Sequence, residues 1–385
     1  MMQESRVWTG KHFLQGNEAL AEGALAAGCL FASGYPITPA TEITHALARR
    51  LPQVGGTYLQ MEDELGAVAS AIGASWTGKK VMVATSGPGI SLMLENIGYA
   101  LGVETPLVVV NVQRGGPTTG IPSIELQGDM IQPKFGSHGE YEILALAPAS
   151  PQEMFDLAVR AFNMAEKYRT PVFVLADAFI GHMREEVVIP REEEILLVTR
   201  KLAAEGLYAS QFKGFLDPEV APMPVFGRGH RAHVTSSCHD EWGRRNVTDA
   251  SALDRFIRGL REKILRHLSD IIDVEVQHED AQVMLFACGS VSRSARHAMT
   301  RARQEGLDVG LIRPLTVWPF PSEEVRRATR RARAVVVLEN NMGQLVHFVL
   351  ASMTDSSRVT FLPPQILGTL HRVDYVLDAI RKAVP

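Results

Sequence analysis

Four short runs in the first third of the chain combine residue types that could do chemistry. The first is Gly34-Tyr35-Pro36-Ile37-Thr38-Pro39. Two prolines fix φ on either side of Ile37-Thr38, so the loop is stiff and the Thr38 hydroxyl is rigidly held. The plain alternative is a strand-to-helix turn with Thr38 bonded to its own backbone. The second run is Met61-Glu62-Asp63-Glu64-Leu65-Gly66-Ala67, an acidic cluster opening a helix of small residues. Such a surface lets another backbone or a flat ring approach closely. Complementarity to the helix dipole explains Glu62 and Asp63 easily. It explains Glu64 less well, because Glu64 begins the small-residue face.

The third run, Thr85-Ser86-Gly87-Pro88-Gly89, reads as a glycine-rich turn between a strand and a helix. Its amides could meet an anion at the helix N-terminus, or it could be only a tight crossover. The fourth, Arg114-Gly115-Gly116-Pro117-Thr118-Thr119-Gly120-Ile121-Pro122-Ser123, directly follows an apolar stretch. An arginine there is costly unless it has a partner or faces a cleft. Glycines around it would let a carboxylate reach the guanidinium fork. Structural pairing with Glu125 or Asp129 is the competing explanation. Among the histidines, His138 sits in a turn and reads first as solvated. His230, His233 and His239 with Cys238, Asp240 and Glu241 match no zinc spacing, so an irregular loop is expected rather than a metal centre. The arginines 326, 327, 330, 331 and 333 read as the solvated or subunit-contacting face of a basic helix.

The elements that must position these runs alternate between strand and helix. Cys29–Tyr35, Val81–Ala84, Leu107–Val112 and Pro171–Ala176 read as buried strands, the third as a continuous apolar run. Helical patterns lie between them, one of them capped by Thr41 and running through Ile43 and Leu47. This alternation predicts a parallel sheet wrapped by helices. Regularity fades after about Pro190, returns with a basic amphipathic helix over Ala252–His267, and continues into a second α/β unit. The expected organisation is a first domain over 12–190, a largely irregular connector over 191–275 and a second domain over 276–385.

Composition narrows the class. The 385 residues are 46% hydrophobic and 21% charged, with a formal net charge of only -4. Nothing global points to nucleic acid or an anionic membrane. No apolar run reaches the roughly 20 residues of a membrane span. The polar start, Met1 to Lys11, lacks a secretory core, so the cytoplasm is expected. Cys29, Cys238 and Cys288 are scattered. An iron–sulfur cluster needs about four cysteines, so this chain cannot hold one alone.

Taken in order, the four runs resemble the alpha subunit of 2-oxoacid:ferredoxin oxidoreductases, the 2-oxoglutarate branch in particular. The family's Tyr-Pro-Ile-Thr-Pro stands at Tyr35–Pro39, its Glu-rich helix start at Met61–Gly66, and its Thr-Ser-Gly-Pro-Gly turn at Thr85–Gly89. Its arginine loop stands at Arg114–Ser123, followed by Gln127-Gly128-Asp129-Met130 and His138-Gly139. Ile312-Arg313-Pro314-Leu315 and Val317-Trp318-Pro319-Phe320 look like its second domain. The resemblance implies a pyrimidine-type thiamine diphosphate-binding α/β domain followed by a transketolase C-terminal-like α/β domain. It implies that Glu64 contacts the cofactor's aminopyrimidine and that Tyr35, Pro36, Ile37, Gly87 and Pro88 line the cofactor. It also implies that Thr38, Arg114 and Ser123 hold the 2-oxoacid. The activity implied is oxidative decarboxylation to acyl-coenzyme A, with electrons passed to ferredoxin.

No Gly-Asp-Gly, the family's diphosphate and Mg²⁺ motif, occurs in the chain. The resemblance therefore assigns Mg²⁺ and the 4Fe-4S iron–sulfur cluster to partner chains. A beta subunit would carry the diphosphate half-site, with separate gamma and delta subunits beside it. Ser123 replaces the family's usual Thr, and Ile124-Glu125-Leu126 is less polar than in 2-oxoglutarate enzymes. Branched-chain or aryl 2-oxoacids therefore stay in view. Two rival readings remain at this point: the beta-type E1 chain of a 2-oxoacid dehydrogenase, and a non-catalytic scaffold paralogue.

Overall fold

The computed structural model describes residues 5–208, 211 and 213–384; residues 1–4 of the polar start lie outside it. The chain opens with β1 (Gly10–Gln15), α1 (Gly16–Ala26), β2 (Cys29–Gly34), α2 (Thr41–Arg50), β3 (Thr57–Gln60) and α3 (Glu64–Ser75). It continues through β4 (Lys80–Thr85), α4 (Gly87–Gly102), β5 (Leu107–Gln113), α5 (Gln132–Phe135), β6 (Leu144–Leu146) and α6 (Pro151–Tyr168). Then come β7 (Pro171–Asp177), α7 (Ala178–His182) and β8 (Arg184–Ile189).

Strands β6, β7, β5, β4, β2 and β3 lie side by side in that order and run parallel. β5 and β7 are buried along their whole length, because helices cover both faces and apolar β-branched residues fit there. One face packs on α1, α2 and α6, the other on α3 and α4. Thr41 does not cap α2. Ala40 holds the N-cap position without a side-chain bond, and Thr41 is the first helical residue.

The second half supplies α8 (Ala250–Leu265), α9 (Leu268–Ile271), β9 (Val274–Gln277), β10 (Val283–Phe286), α10 (Val291–Gln304) and β11 (Val309–Pro314). It ends with β12 (Thr316–Trp318), α11 (Ser322–Ala328), β13 (Ala334–Leu338), α12 (Val346–Ser352), β14 (Val359–Leu362) and α13 (Val373–Ala383). The second sheet has the order β14-β13-β10-β11-β9, with only β9 antiparallel to its neighbour. The β12 strand leaves this sheet's sequence region and pairs antiparallel with β6 at the edge of the first sheet. One apolar core accordingly runs from β4 and β5 through Trp318 to Phe286 and Val337. The arginine run 326–333 is not one helix: α11 ends at Ala328, and Arg330, Arg331 and Arg333 follow it.

The described residues between 191 and 249 form little regular structure yet are pinned by buried ions. Arg200 forms a salt bridge with Glu166 and donates to the carbonyls of Ser75 and Lys79, each at 2.9 Å. Arg169 holds the carbonyls of Gly214 and Ala221 at 2.7 and 2.9 Å. Glu104 joins Lys263 at 2.7 Å to the Leu216 amide at 2.6 Å. Burial alone would raise the Glu104 carboxyl, but the charges of Lys263 and Arg169 outweigh it and hold it below its ordinary value.

Candidate active site at the carboxyl ends of the first sheet

The four runs singled out in the sequence all leave the carboxyl ends of neighbouring parallel strands. Thr38 follows β2, Glu64 follows β3, Ser86 follows β4 and Arg114 follows β5. The order of winding reverses between β2 and β4, since β2 connects outward to β3 before the chain returns to β4 on the other side. Crevices at such reversals are where open α/β sheets bind ligands.

Asp63, not Glu64, caps α3, accepting the Gly66 amide at 2.8 Å. That leaves Glu64 free of the capping role. Its side chain is buried and its Oε1 accepts the Thr85 hydroxyl at 3.1 Å. Gly87-Pro88-Gly89 is not a separate turn but the first turn of α4, with proline where no amide is needed. A Cβ on Gly89 would lie 2.0 Å from Thr85 Oγ1 and 2.4 Å from Glu64 Oε1. Only glycine leaves room there for the carboxylate. Tyr35, Leu65 and Leu92 are exposed apolar residues on the neighbouring segments.

Arg114 is also buried, and its partners are carbonyls, not the Glu125 or Asp129 carboxylates. Nη1 donates to the Thr38 carbonyl at 2.7 Å and Nη2 to the Thr119 carbonyl at 2.9 Å. Its buried Nε has no partner. No carboxylate is hydrogen-bonded to it, which suits an anionic ligand. The two bonds also tie the Tyr35–Pro39 loop to the Arg114–Ser123 loop. The turn's own hydrogen bond runs from the Ala40 amide to the Ile37 carbonyl at 2.8 Å, not through the Thr38 side chain. Thr38 and Ser123 are exposed, and Tyr35, Pro36 and Ile37 line the loop beside them.

Asp129, a possible arginine partner and part of the Gln127–Met130 run in the sequence, links the two clusters. Asp129 accepts from Asn111 Nδ2 at 3.0 Å, and its Oδ2 would lie 3.4 Å from a Cβ on Gly87. Burial raises its pKa, opposed by the Asn111 hydrogen bond and the Arg114 charge. Asn111 was the available signal, since β5 is not continuously apolar: Asn111 and Gln113 interrupt it. Both are buried, and Gln113 Oε1 accepts the Asp129 amide at 2.9 Å. The Asn111 Oδ1 and Ser86 Oγ atoms beside this cluster are buried without partners.

The histidines hold no such geometry. His230 Nε2 faces the Ala203 carbonyl at 2.9 Å, His233 Nε2 the Gly243 carbonyl at 2.7 Å, and His239 Nε2 the Gly102 carbonyl at 3.0 Å. Their rings brace the 203–245 segment. Among the described residues no cluster of His, Cys, Asp or Glu could hold a metal ion. His138 is exposed, 3.6 Å from Glu95. Cys29 and Cys288 are buried free thiols, and burial pushes Cys29 up to about 12. Among the described residues no helix is long and apolar enough to cross a membrane.

Residues 22–258 match the family model for pyruvate flavodoxin/ferredoxin oxidoreductase, thiamine diphosphate-binding. Residues 281–375 match pyruvate:ferredoxin oxidoreductase core domain II. The chain belongs to the 2-oxoacid:ferredoxin oxidoreductase family. It is 47% identical to the 2-oxoglutarate synthase subunit KorA of Methanocaldococcus jannaschii, covering 96% of this chain and 98% of that one. It is 37% identical to the ketoisovalerate oxidoreductase subunit VorB of Methanothermobacter thermautotrophicus, over 96% and 97% of the two chains. The solved 2-oxoglutarate:ferredoxin oxidoreductase of Magnetococcus marinus, with 2-oxoglutarate, coenzyme A and succinyl-coenzyme A bound, superposes with a TM-score of 0.90 at 31% identity. That alignment covers 98% of this chain and 66% of the longer solved one. A split-gene transketolase shares the fold, with a TM-score of 0.56 at 13% identity over 97% and 99% of the chains. Family membership sets aside the dehydrogenase E1 reading. As a member of this oxidoreductase family, the chain has a thiamine diphosphate-binding domain and a second α/β domain behind it.

Proposed function

We propose that the chain is the alpha subunit of a 2-oxoglutarate:ferredoxin oxidoreductase and supplies the pyrimidine half of a thiamine diphosphate site shared with a beta subunit. The observation that carries this is the buried Glu64 carboxylate, held by Thr85 above a residue with no side chain. The donor set fits half of the cofactor: one oriented carboxylate for a basic heterocycle and apolar neighbours for its ring. When bound, thiamine diphosphate supplies the nucleophilic carbon and the electron sink for decarboxylation. Glu64 would share a proton with the aminopyrimidine ring nitrogen, and its burial keeps water from competing for that bond. Tyr35, Pro36, Ile37, Gly87 and Pro88 would line the ring. Arg114 would attract the 2-oxoacid carboxylate with its guanidinium charge, with the Thr38 and Ser123 hydroxyls orienting the reacting carbonyl.

The electron path belongs to the partners in this reading. Three separated cysteines fall short of the roughly four that a cluster takes, and no Gly-Asp-Gly is present, so the 4Fe-4S centre and Mg²⁺ are assigned to the beta subunit and further clusters to other subunits. Gamma and delta subunits, coenzyme A and ferredoxin complete the proposed assembly. Buried unpaired thiols suit the reducing cytoplasm. The test is reconstitution with the co-purifying beta chain. Viologen or ferredoxin reduction that needs both 2-oxoglutarate and coenzyme A is the expected result. Acylation of a lipoyl domain instead, or no turnover on any 2-oxoacid, would overturn the reading. The apolar Ile121 and Ile124 beside Ser123 favour testing ketoisovalerate in the same screen. If it is turned over with the larger kcat/KM, the substrate assignment moves to branched-chain acids.

A further inference from the structure

The loop that carries Arg114 and Ser123 does not end within the first sheet's own contacts. It closes on itself through Gly115, whose N–H donates to the Ile124 carbonyl at 2.9 Å and whose carbonyl accepts the Ile121 amide at 2.8 Å. The chain then passes the second sheet, where the main-chain groups of Gln127, Gly128 and Ile131 are held by residues that follow β13, and that of Met130 by Trp318 of β12. The Gln127 amide donates to the Asn340 carbonyl at 2.8 Å, and the Gln127 carbonyl accepts Asn341 Nδ2 at 2.7 Å. The Gly128 carbonyl accepts Gln344 Nε2, whose Oε1 takes the Ile131 amide at 3.2 Å. The Met130 carbonyl accepts Trp318 Nε1 at 2.6 Å. Asp129, in the middle of this run, is the residue that faces Gly87 and lies within the field of Arg114.

The side chain of Gln127 completes the attachment. It is buried, and its Nε2 donates to the Cys288 carbonyl at 3.1 Å and to Asp177 Oδ2 at 3.3 Å. Gly289 has φ +56, and a Cβ there would lie 2.6 Å from that nitrogen. Cys288 and Asn340 follow β10 and β13, so the carboxyl ends of the second sheet's strands grip the loop of the first. From this we infer that Gln344 and Gln127 are positioning residues through which the second domain fixes the arginine loop for 2-oxoacid binding. The inference rests on the proposed role of Arg114, but its geometry stands apart from that role.

Gln344 is only partly buried, so Gln344→Met keeps side-chain length and removes both main-chain contacts with little cost to folding. In the reconstituted complex it should raise KM for the 2-oxoacid about ten-fold, the worth of one to two hydrogen bonds, with KM for coenzyme A unchanged. Amide exchange over residues 115–131 should speed up while β10 and β13 stay protected. In Gln127→Glu a carboxylate would face Asp177, and burial beside that charge would raise its pKa. Its KM defect should shrink from pH 8 to pH 6, because the protonated acid regains a donor. Unchanged exchange over 115–131, or an oxoacid KM within two-fold of the parent, overturns the inference. A uniform loss of kcat with every KM intact overturns it as well. If the parent complex turns over no 2-oxoacid, the functional assignment fails, and the exchange data still decide whether the second domain holds the loop.

Discussion

The carboxylate of Glu64 occupies the space that a side chain on Gly89 would fill: a Cβ there would come within 2.4 Å of Oε1. This fixes an expected pair of results. Glu64→Gln keeps the shape and removes the charge, and turnover of the reconstituted complex should fall about 10²-fold or more. Gly89→Ala leaves the carboxylate in place chemically but displaces it, and should cost a comparable factor. Steady-state rates with saturating thiamine diphosphate check both. A Glu64→Gln complex running within a few-fold of the parent would favour the scaffold reading.

Arg114 offers a sharper test, because its guanidinium does two jobs at once. It ties the Thr38 and Thr119 carbonyls together and keeps an unpaired Nε edge. Lysine preserves the charge but cannot span two carbonyls and still offer a flat edge. Arg114→Lys should lower kcat/KM for the 2-oxoacid roughly 10- to 10²-fold, the worth of a charge-assisted hydrogen bond. Binding of thiamine diphosphate, followed by fluorescence or calorimetry, should stay within a few-fold. An equal loss in both measurements would place Arg114 in the cofactor site instead.

Much of this site was legible because strand ends and glycine-proline loops are written locally. The buried strands at 81–84 and 171–176 lie where the hydrophobic pattern puts them, within β4 and β7. What stayed hidden depends on partners far along the chain. Asp129 reads as an arginine partner, but its donor is Asn111, 18 positions earlier in a buried strand whose pattern is mostly apolar. The pairing of β12 with β6 left no local signature, since three residues of strand carry no period and the neighbour lies about 170 positions away (316 against 146). Thr41 and the 326–333 arginines misled for the opposite reason: residue type suggested a cap and a helix that backbone geometry did not take up.

Stability should fall as the pH drops below neutral, and His371 is one identifiable cause. Its Nε2 faces the Leu362 carbonyl at 2.9 Å, while its buried Nδ1 has no partner. Burial lowers its pKa, only partly opposed by that hydrogen bond. The unfolded chain takes up this proton near pH 6.5, whereas the folded one resists, so the unfolded state gains as pH falls below about 6.5. Urea midpoints at pH 7.5 and 5.5 should differ less for His371→Gln than for the parent. An identical pH dependence in the two proteins would clear His371 of the effect.

The Arg200–Glu166 pair should be one of the main anchors of the irregular segment 191–249. Both side chains are almost fully buried, and Arg200 binds the Ser75 and Lys79 carbonyls besides. Arg200→Met strands the Glu166 charge, and breaking a buried pair from one side costs about 3–5 kcal/mol. Replacing both partners with apolar residues removes the stranded charge, so Arg200→Met combined with Glu166→Met should recover part of that loss. Protease nicking should appear within 200–245 in the single variant before the rest of the chain is cut, since that segment has few other regular contacts. If the double variant is no better than the single one, the loss stems from the freed Ser75 and Lys79 carbonyls rather than from the unpaired carboxylate.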